Sequence, residues 1–286
     1  MSNNLLYIIE EKMQGMSKSH KLIAKYIIEH SEKAVKCTAT KLGEEIGVSE
    51  STVVRFATEM GFKGYSELQT ALKNVIHTKL TTVQRIDAYD EAISEDTLGS
   101  VMSNDIENLR ISMNKIDREE FEKVADLIAN AKNIYILGVR TSTVLANFLY
   151  YYLDIMMENV IIVNTSGVGE IYEQLRRIGK DDVIIGITFP RYSTRTKRCL
   201  EIAKNSGASV IAITDNEVSP IVPIADRILY VKSDMVSFVD SLVAPLSIMN
   251  ALIVSVGLKK KDSLKGTFKR LEEIWKDHEV YENNKE

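Results

Sequence analysis

The spacing of apolar residues changes about a third of the way along the chain. From Leu5 to about His77, apolar residues recur every three or four positions, which is the period of one face of an α-helix. The pattern predicts five short helices and no strand, with helix ends at Gly47 and Gly61. Residues 1–77 are therefore predicted to form a small all-α domain.

The second half of the chain alternates continuous apolar runs with helical stretches. A long helix with apolar stretches at 106–113 and 121–128 comes first. Five β-branched runs follow, NIYILG at 133–138, VIIVN at 160–164, DVIIGITF at 182–189, ASVIAIT at 208–214 and DRILYV at 226–231. Uninterrupted apolar strands between helices are typical of a parallel sheet covered on both faces. We expect an α/β domain with a doubly wound five-stranded parallel sheet over 105–286.

The segment between these two halves has a different composition. Residues 78–104 are poor in large apolar residues at regular spacing and rich in Thr, Asp and Glu. Such composition between periodic segments indicates a connection. We predict a partly helical linker over 78–104.

One apolar segment approaches the length of a membrane span. Ser241 to Leu258 is uncharged over 18 residues. It contains Pro245, Asn250 and several serines, and the other apolar runs nearby have the length of strands. We therefore predict a helix buried in the core or in a subunit interface, and no membrane association.

Composition narrows the class of protein without naming a function. Hydrophobic residues make up 45% and charged residues 27%, which is ordinary for a globular protein. The net charge of -4 gives no polyanion-binding signal for the chain as a whole. Cys37 and Cys199 lie far apart and outside any CxxC spacing, and the N-terminus lacks the basic region of a secretory signal. These features predict a cytoplasmic protein without a disulfide, metal site or cofactor.

The segment from Thr38 to Leu68 predicts a helix-turn-helix. Two short helices meet at a tight turn around Gly47, and Ser49 or Ser51 is the expected N-cap of the second helix. The first turns of a recognition helix contact base edges, and residues just past it can contact phosphates. A helical protein-interaction module with a solvated Arg55 is the alternative. The candidate DNA contacts are Ser49, Ser51, Thr52 and Arg55 on the helix, with Lys63 and Tyr65 beyond it.

Two strand-to-helix turns in the second half combine hydroxyls with arginine. Hydroxyls and backbone N–H groups at a helix N-terminus form an anion site, and an arginine adds a charge-assisted contact. Because serine and threonine also cap helices without any ligand, each hydroxyl has a structural alternative. The candidate ligand contacts are Arg140, Ser142 and Thr143 after the first strand, and Thr188, Arg191, Ser193 and Thr194 after the third.

Two carboxylates follow other strands at the same sheet edge. Glu170 follows the second strand and could accept hydrogen bonds from ligand hydroxyls, act as a base, or simply favour a helix N-terminus. Asp215 follows the fourth strand, where a turn residue is the expected interpretation.

The run SxxTVVRFxxxMGFKGYSEL, from Ser49 to Leu68, resembles the N-terminal domain of the RpiR family of bacterial regulators. The second half resembles the sugar isomerase (SIS) domain that completes those proteins, and the domain order and total length also fit. The resemblance implies binding to double-stranded operator DNA, a phosphorylated sugar effector and a SIS-like sheet with flavodoxin-like strand order. It also implies a homo-oligomer, dimer or tetramer, with 241–258 as a natural interface element.

The resemblance also assigns roles within the predicted ligand site. By position, Ser142 and Thr143 match the hydroxyls that SIS domains place after the first strand; Thr188, Ser193 and Thr194 match those after the third. Two positions depart from the family pattern. A glycine is common where Arg140 stands, and a serine-glycine pair where Pro190 and Arg191 stand, so Arg191 could hold the phosphate in place of a serine turn.

These observations predict a DNA-binding transcriptional regulator that a phosphorylated sugar modulates, with no catalytic residue. The leading alternative is a phosphosugar isomerase with an accessory helical domain, with Glu170 or His278 as its base. The chain has four histidines, and none lies between 78 and 277, which mildly disfavours that alternative. A protein-interaction scaffold is a third interpretation, and it would need neither Arg191 nor the hydroxyl turns.

Overall fold

The computed structural model describes residues 5–79, 83, 86, 96–164 and 167–281. The chain divides into two compact units, 1–88 and 89–286. The predicted domain limits 1–77 and 105–286 are close to this division and stay predictions. Most of the predicted linker lies outside the described residues, but its last part is helical.

The described part of the first unit consists of six helices around one apolar core. Five helices were expected; the additional one, α3, has only six residues, which is too short to show an apolar stripe. The fully buried side chains include Ile9, Ile23, Ile27, Leu42, Phe56, Leu68 and Leu72. The helices are α1 (Leu5–Met13), α2 (Lys18–Glu29), α3 (Ser31–Lys36), α4 (Ala39–Ile46), α5 (Glu50–Glu59) and α6 (Tyr65–Lys79).

The described part of the second unit starts with two helices where the sequence pattern predicts one long helix. The helices are α7 (Thr97–Lys115) and α8 (Arg118–Asn130). The break comes at Asp117, whose side chain accepts hydrogen bonds from the backbone N–H groups of Glu119 and Glu120 and so caps α8. Asp96 caps α7 in the same way, so residues 97–104 of the predicted linker belong to a helix.

The five predicted strands form one parallel sheet in the order β2-β1-β3-β4-β5, which confirms the flavodoxin-like doubly wound prediction. The elements after α8 are β1 (Ile134–Gly138), α9 (Ser142–Met156), β2 (Val160–Ile162), α10 (Val168–Gln174), β3 (Val183–Ile187), α11 (Thr194–Asn205), β4 (Ser209–Thr214), β5 (Arg227–Tyr230), α12 (Val243–Lys259) and α13 (Lys261–Asp277). The sequence pattern extends most strands by one or two residues that lie in the adjoining loops.

Alternate residues of the strands enter two separate cores, one on each face of the sheet. Ile134 and Ile136 of β1 pack with residues of α8, α9 and α12. Tyr135 and Leu137 pack on the opposite face with residues of α10 and α11. Because both faces are covered, the polar loops at the strand ends remain the accessible parts of the sheet.

The strand order places a switch point between β1 and β3. The chain leaves β1 toward β2 on one side and leaves β3 toward β4 on the other. Gly138 and Ile187 are paired in register, so the two strands finish side by side. A crevice at the carboxyl ends of such strands is where ligands bind in open α/β sheets.

The uncharged segment 241–258 forms most of helix α12, as predicted. Leu252, Ile253 and Val256 are buried against the sheet, whereas Val254 and Leu258 are 60% and 67% exposed. Among the described residues no single helix is long and apolar enough to cross a membrane; α12 and α13 meet those criteria only as a pair bent by 101°.

Candidate DNA-binding and ligand-binding sites

Helices α4 and α5 form the predicted helix-turn-helix, and two glycines make the turn. Gly47 ends α4 with φ of 76°, in the left-handed region that favours glycine. The N–H of Val48 then donates to the carbonyl oxygen of Gly43 at 2.9 Å. A Cβ on Gly43 would lie 2.6 Å from the carbonyl oxygen of Val48, so only glycine allows this close approach. Gly43 was not among the predicted turn residues, although a glycine inside a helical pattern was the available signal.

Side chains from neighbouring helices hold α5 at both ends. Thr40 Oγ1 donates to Glu50 Oε2 at 2.9 Å at the start of α5. At its end, His20 Nδ1 lies 2.5 Å from Glu59 Oε2, and the His20 ring stacks edge-on against Phe56. Val53, Phe56 and Ala57 are buried, so α5 is fixed in the domain through one face. Its opposite face is left to solvent.

The exposed first turns of α5 bring four predicted DNA contacts together. Ser49 Oγ lies 2.9 Å from Ser51 Oγ and 2.8 Å from Thr52 Oγ1. Arg55 reaches back to the same turn: its Nε donates to the Ser51 carbonyl oxygen at 3.2 Å, and its Nη2 donates to Thr52 Oγ1 at 3.4 Å. In the part of the chain that the structure describes, no carboxylate pairs with Arg55. Its guanidinium can therefore exchange these weak contacts for a base edge or a phosphate.

The two predicted contacts beyond α5 lie in different environments. Lys63 is exposed, with only its backbone N–H bonded to Glu67 Oε2. Tyr65 is buried, and its hydroxyl donates to the carbonyl oxygen of Ala34 at 2.9 Å. Burial raises the pKa of Tyr65 above its usual value. The position of Tyr65 in the core argues against the predicted phosphate contact, because its hydroxyl already serves to hold α6 against α3.

After β1, the chain turns sharply into α9 at the switch point. A Cβ on Gly138 would lie 2.2 Å from the carbonyl oxygen of Ser142, so a glycine is needed where the strand meets the helix. Arg140 has φ of 60°, a conformation that favours glycine. Thr143 Oγ1 donates to the carbonyl oxygen of Gly138 at 3.0 Å, and Ser142 is buried. Arg140 itself is exposed, so its guanidinium can reach a ligand.

After β3, hydroxyl groups shape the loop and cap α11. Thr188 Oγ1 accepts a hydrogen bond from the N–H of Ser193 at 3.0 Å, and Ser193 Oγ accepts one from the N–H of Thr196 at 3.2 Å. Both hydroxyls act as acceptors here, so each retains a proton that it can donate to an anion. Thr196 Oγ1 is buried with no hydrogen-bond partner among the described residues. Arg191 on this loop and Thr194 at the first position of α11 are both exposed.

Tyr192 connects the β3 loop to the end of β4. Its hydroxyl donates to Asp215 Oδ1 at 2.9 Å, and Asn216 Nδ2 donates to Asp215 Oδ2 at 2.6 Å. Desolvation by burial raises the pKa of Asp215 to about 6. Tyr192 was not predicted as a functional residue. Asp215 was expected only to form a turn, but its carboxyl group also anchors the β3 loop through Tyr192.

Glu170 lies in the first turn of α10, after β2, and is exposed. Its carboxyl group folds back toward Gly167, the N-cap of α10. A Cβ added to Gly167 would lie 2.8 Å from Glu170 Oε2. A carboxylate in that position stabilises the helix, because its negative charge lies at the positive end of the helix dipole. Residues 165 and 166, which follow β2, are outside the described residues.

Together these two units define a class of protein. A helix-turn-helix with a solvated recognition helix is joined to a doubly wound α/β unit that has a polar site at its switch point, the construction of a DNA-binding regulator with a sensory domain. The model of the rpiR-family helix-turn-helix domain matches residues 3–79, and that of the SIS domain matches residues 127–255. The chain belongs to the RpiR family of HTH-type transcriptional regulators.

Individual relatives agree with this assignment. An uncharacterized HTH-type transcriptional regulator from Haemophilus influenzae is 30% identical over 232 residues, covering 80% of both chains. The sugar isomerase domain of an RpiR transcription factor from Sphaerobacter thermophilus is 25% identical with a TM-score of 0.57, covering 61% of this chain and 97% of that one. NanR of Vibrio vulnificus, solved in complex with ManNAc-6P, is 21% identical with a TM-score of 0.60, covering 98% of this chain and 100% of that one, and supports the fold. The predicted family, fold class and role in transcription regulation are confirmed.

Proposed function

We propose that this regulator binds a phosphorylated sugar in the crevice between the β1 and β3 loops and that the sugar changes its affinity for operator DNA. The observation that carries the proposal is the arrangement of Thr188 and Ser193. Both hydroxyls accept from backbone N–H groups, which fixes their positions and directs their own protons to another acceptor. A phosphate at the N-terminus of α11 supplies that acceptor.

The remaining candidate residues complete a site for a phosphosugar. Arg191 and Arg140 supply positive charge from exposed positions on either side of the crevice. Glu170 is the acceptor for a sugar hydroxyl. The complex of NanR from Vibrio vulnificus with ManNAc-6P supports the same class of ligand. The other proposed contacts are Ser142, Thr143 and Thr194.

The proposed DNA contacts follow from the exposed face of α5. Arg55, with Ser51 and Thr52 beside it, reads base edges in the major groove, and Ser49 and Lys63 contact phosphates. Tyr65 is left out of this set because it belongs to the core. Operator DNA lies with the chromosome, so we place the protein in the cytoplasm.

We also propose that the protein acts as at least a homodimer through α7 and α12. An apolar groove of about 490 Å³ lies between α7, α8 and α12; its apolar lining includes Leu109, Met113, Phe121, Ala244, Ile248 and Ala251. Exposed apolar residues extend this face on both helices. A two-fold dimer matches a DNA site made of two half-sites.

The proposed role is sensory rather than catalytic. Isomerisation of a phosphosugar needs a base at the sugar carbons. No histidine lies between residues 78 and 277, so the loops at the sheet edge supply none, and Glu170 is assigned to a sugar hydroxyl. Aldose–ketose isomerase assays with the sugar phosphates below should therefore show no turnover.

Fluorescence anisotropy of labelled DNA from upstream of this gene tests the proposal. We expect tight binding that one member of a panel of sugar phosphates alters, with ManNAc-6P, glucose 6-phosphate and fructose 6-phosphate as the first probes. Arg55→Ala should weaken specific binding, whereas the matched control Thr58→Ala, exposed on the same helix, should bind as the wild type does. Arg191→Ala should bind DNA normally and lose the response to the sugar. DNA binding that no sugar phosphate changes would contradict the sensory role.

A further inference from the structure

The segment between β5 and α12, residues 232–242, is an irregular loop that its own side chains close; we call it the strap. Ser233 Oγ donates to the carbonyl oxygen of Ser241 at 2.8 Å, which joins the two ends of the strap. Ser233 and Met235 are buried, whereas Phe238 and Val239 at the tip are more than half exposed. Because its ends are tied together, the strap is a compact loop.

A row of polar side chains on α7 binds the backbone of the strap. Asn104 and Asn108 both donate to the carbonyl oxygen of Asp234, at 2.7 and 2.8 Å. Asn108 also accepts from the N–H of Asp234, and Ser112 Oγ accepts from the N–H of Lys232. These three α7 residues are four positions apart, so they lie on one face of the helix. Asn108 and Ser112 are only 2% and 3% exposed, and separating them from the strap would leave buried polar groups unpaired.

Ser241 adds a further link between the strap and α7. Its hydroxyl donates to Asp105 Oδ1 at 2.5 Å. The strap is therefore bound to α7 near both of its ends, at Asp234 and at Ser241. A displacement of either end requires a matching displacement of α7 or the loss of buried hydrogen bonds.

The strap also contacts the loop after β1. Thr141 Oγ1 donates to Asp240 Oδ2 at 2.6 Å. Thr141 stands between Arg140 and Ser142, two of the proposed ligand contacts. The strap also affects Asp215, at the end of β4: the charge of Lys232 lowers the pKa of Asp215 and the charge of Asp234 raises it. One segment thus touches the ligand loop on one side and α7 on the other.

We propose that the strap transmits the ligand state of the β1 loop to α7. The inference rests on the proposed function, because it assigns a route to the same sugar-phosphate site. Helix α7 begins at Thr97, directly after the stretch of chain that leads from the helix-turn-helix unit. Ligand contacts at Arg140 and Ser142 reposition Thr141, the strap follows through Asp240, and α7 follows through its buried asparagine contacts. The proposal requires the sugar phosphate to bind more tightly to one position of the β1 loop than to the other, as any ligand-driven shift between two states does.

Two variants interrupt the route at its opposite ends, and each has a matched control. Thr141→Val removes the hydroxyl that binds Asp240 while keeping the side-chain shape, and Thr141→Ser keeps the hydroxyl. Asn104→Ala removes one bond between α7 and the strap. Asn130→Ala removes an equivalent side chain–backbone bond within α8, away from the strap.

The first measurement is hydrogen exchange of the full chain without ligand. Thr141→Val should increase exchange in the strap and along α7, whereas Thr141→Ser should leave α7 as in the wild type. Unchanged exchange in α7 of Thr141→Val would overturn the proposal.

The second measurement is DNA anisotropy with and without the effective sugar phosphate. The wild-type change in DNA affinity, expected within about 5- to 150-fold, should fall to about twofold or less in Thr141→Val and Asn104→Ala. DNA affinity without ligand and the Kd for the sugar phosphate should stay within about threefold of wild type, and Asn130→Ala should respond fully. If the sugar phosphate still changes the DNA affinity of both variants fully, the proposed role of the strap is wrong and the proposed function is unaffected. A wild-type protein with no response would instead contradict the proposed function.

Discussion

Substitutions of Ser193 separate its two roles in the structure. Its hydroxyl caps α11 by accepting from the N–H of Thr196, and it is also a proposed phosphate contact. Ser193→Ala removes both functions, so it cannot distinguish them. Asn and Asp cap helices as well as Ser does, and only Asp adds a negative charge.

The three variants should change the free energy of unfolding and the Kd of the sugar phosphate by different amounts. Loss of the cap in Ser193→Ala should lower the free energy of unfolding of the second unit by about 1 kcal/mol, whereas Ser193→Asn and Ser193→Asp should leave it near wild type. In Ser193→Asp, a carboxylate about 4 Å from a phosphate at an effective dielectric constant of about 20 is repelled by about 4 kcal/mol. That corresponds to about a thousandfold increase in the Kd of the sugar phosphate.

Two assays measure the free energy of unfolding and the Kd of the sugar phosphate for each variant. Trp275, the one tryptophan of the chain, lies on α13 of the second unit, so its fluorescence during urea unfolding reports the stability of that unit. Isothermal titration calorimetry with the effective sugar phosphate gives the Kd. A stable Ser193→Asp protein that binds the ligand as tightly as wild type would refute the location of the phosphate at α11.

Further predictions concern the turn, the recognition helix and the buried carboxylate. Gly43→Ala should destabilise the first unit by about 1–3 kcal/mol in thermal unfolding followed by circular dichroism, whereas Gly15→Ala in the same unit, whose Cβ would lie 3.8 Å from the carbonyl oxygen of Lys12, should not. Arg55→Ala should weaken binding to the specific DNA site by about 1–3 kcal/mol in anisotropy titrations while changing non-specific binding less; an equal loss on all sequences would assign Arg55 to phosphate contacts. The pKa of Asp215 is raised in the folded state to about 6, so the folded protein binds this proton more tightly and the free energy of unfolding should fall as pH rises from about 4 to about 6. Asp215→Asn should flatten that part of the urea-unfolding profile, and an unchanged profile would contradict the assignment.

The strands and the helix-turn-helix could be predicted from local sequence because their signals are local. Continuous β-branched runs mark strands buried on both faces, and Gly47 marks a turn that few other residues adopt. Helix α3 was missed because six residues cannot show a helical stripe. The break between α7 and α8 depends on the cap at Asp117, which the apolar pattern alone does not reveal.

The arrangement of the sites depends on contacts between residues far apart in sequence. Tyr65 follows the recognition helix at a spacing that fits a phosphate contact, but its burial is decided by α3, 31 residues away. Tyr192 and Asp215 meet only because β3 and β4 are neighbours in the sheet. The links from the strap to α7 span more than 120 residues. No periodicity in the sequence carries such information.

Reciprocal binding is the most direct test of a sugar-sensing regulator. The Kd for the upstream DNA is measured with and without a saturating sugar phosphate, and the Kd for the sugar phosphate with and without saturating DNA. Each pair of measurements gives the ratio of a Kd without the other ligand to the Kd with it. If binding of the sugar and binding of the DNA are coupled in the same protein, the two ratios must be equal, and we expect them to lie within about 5- to 150-fold. Equal ratios in this range are the predicted result. If both ratios are one while the protein still binds each ligand, the sugar phosphate and the DNA do not affect each other's binding, and the proposed sugar sensing is wrong.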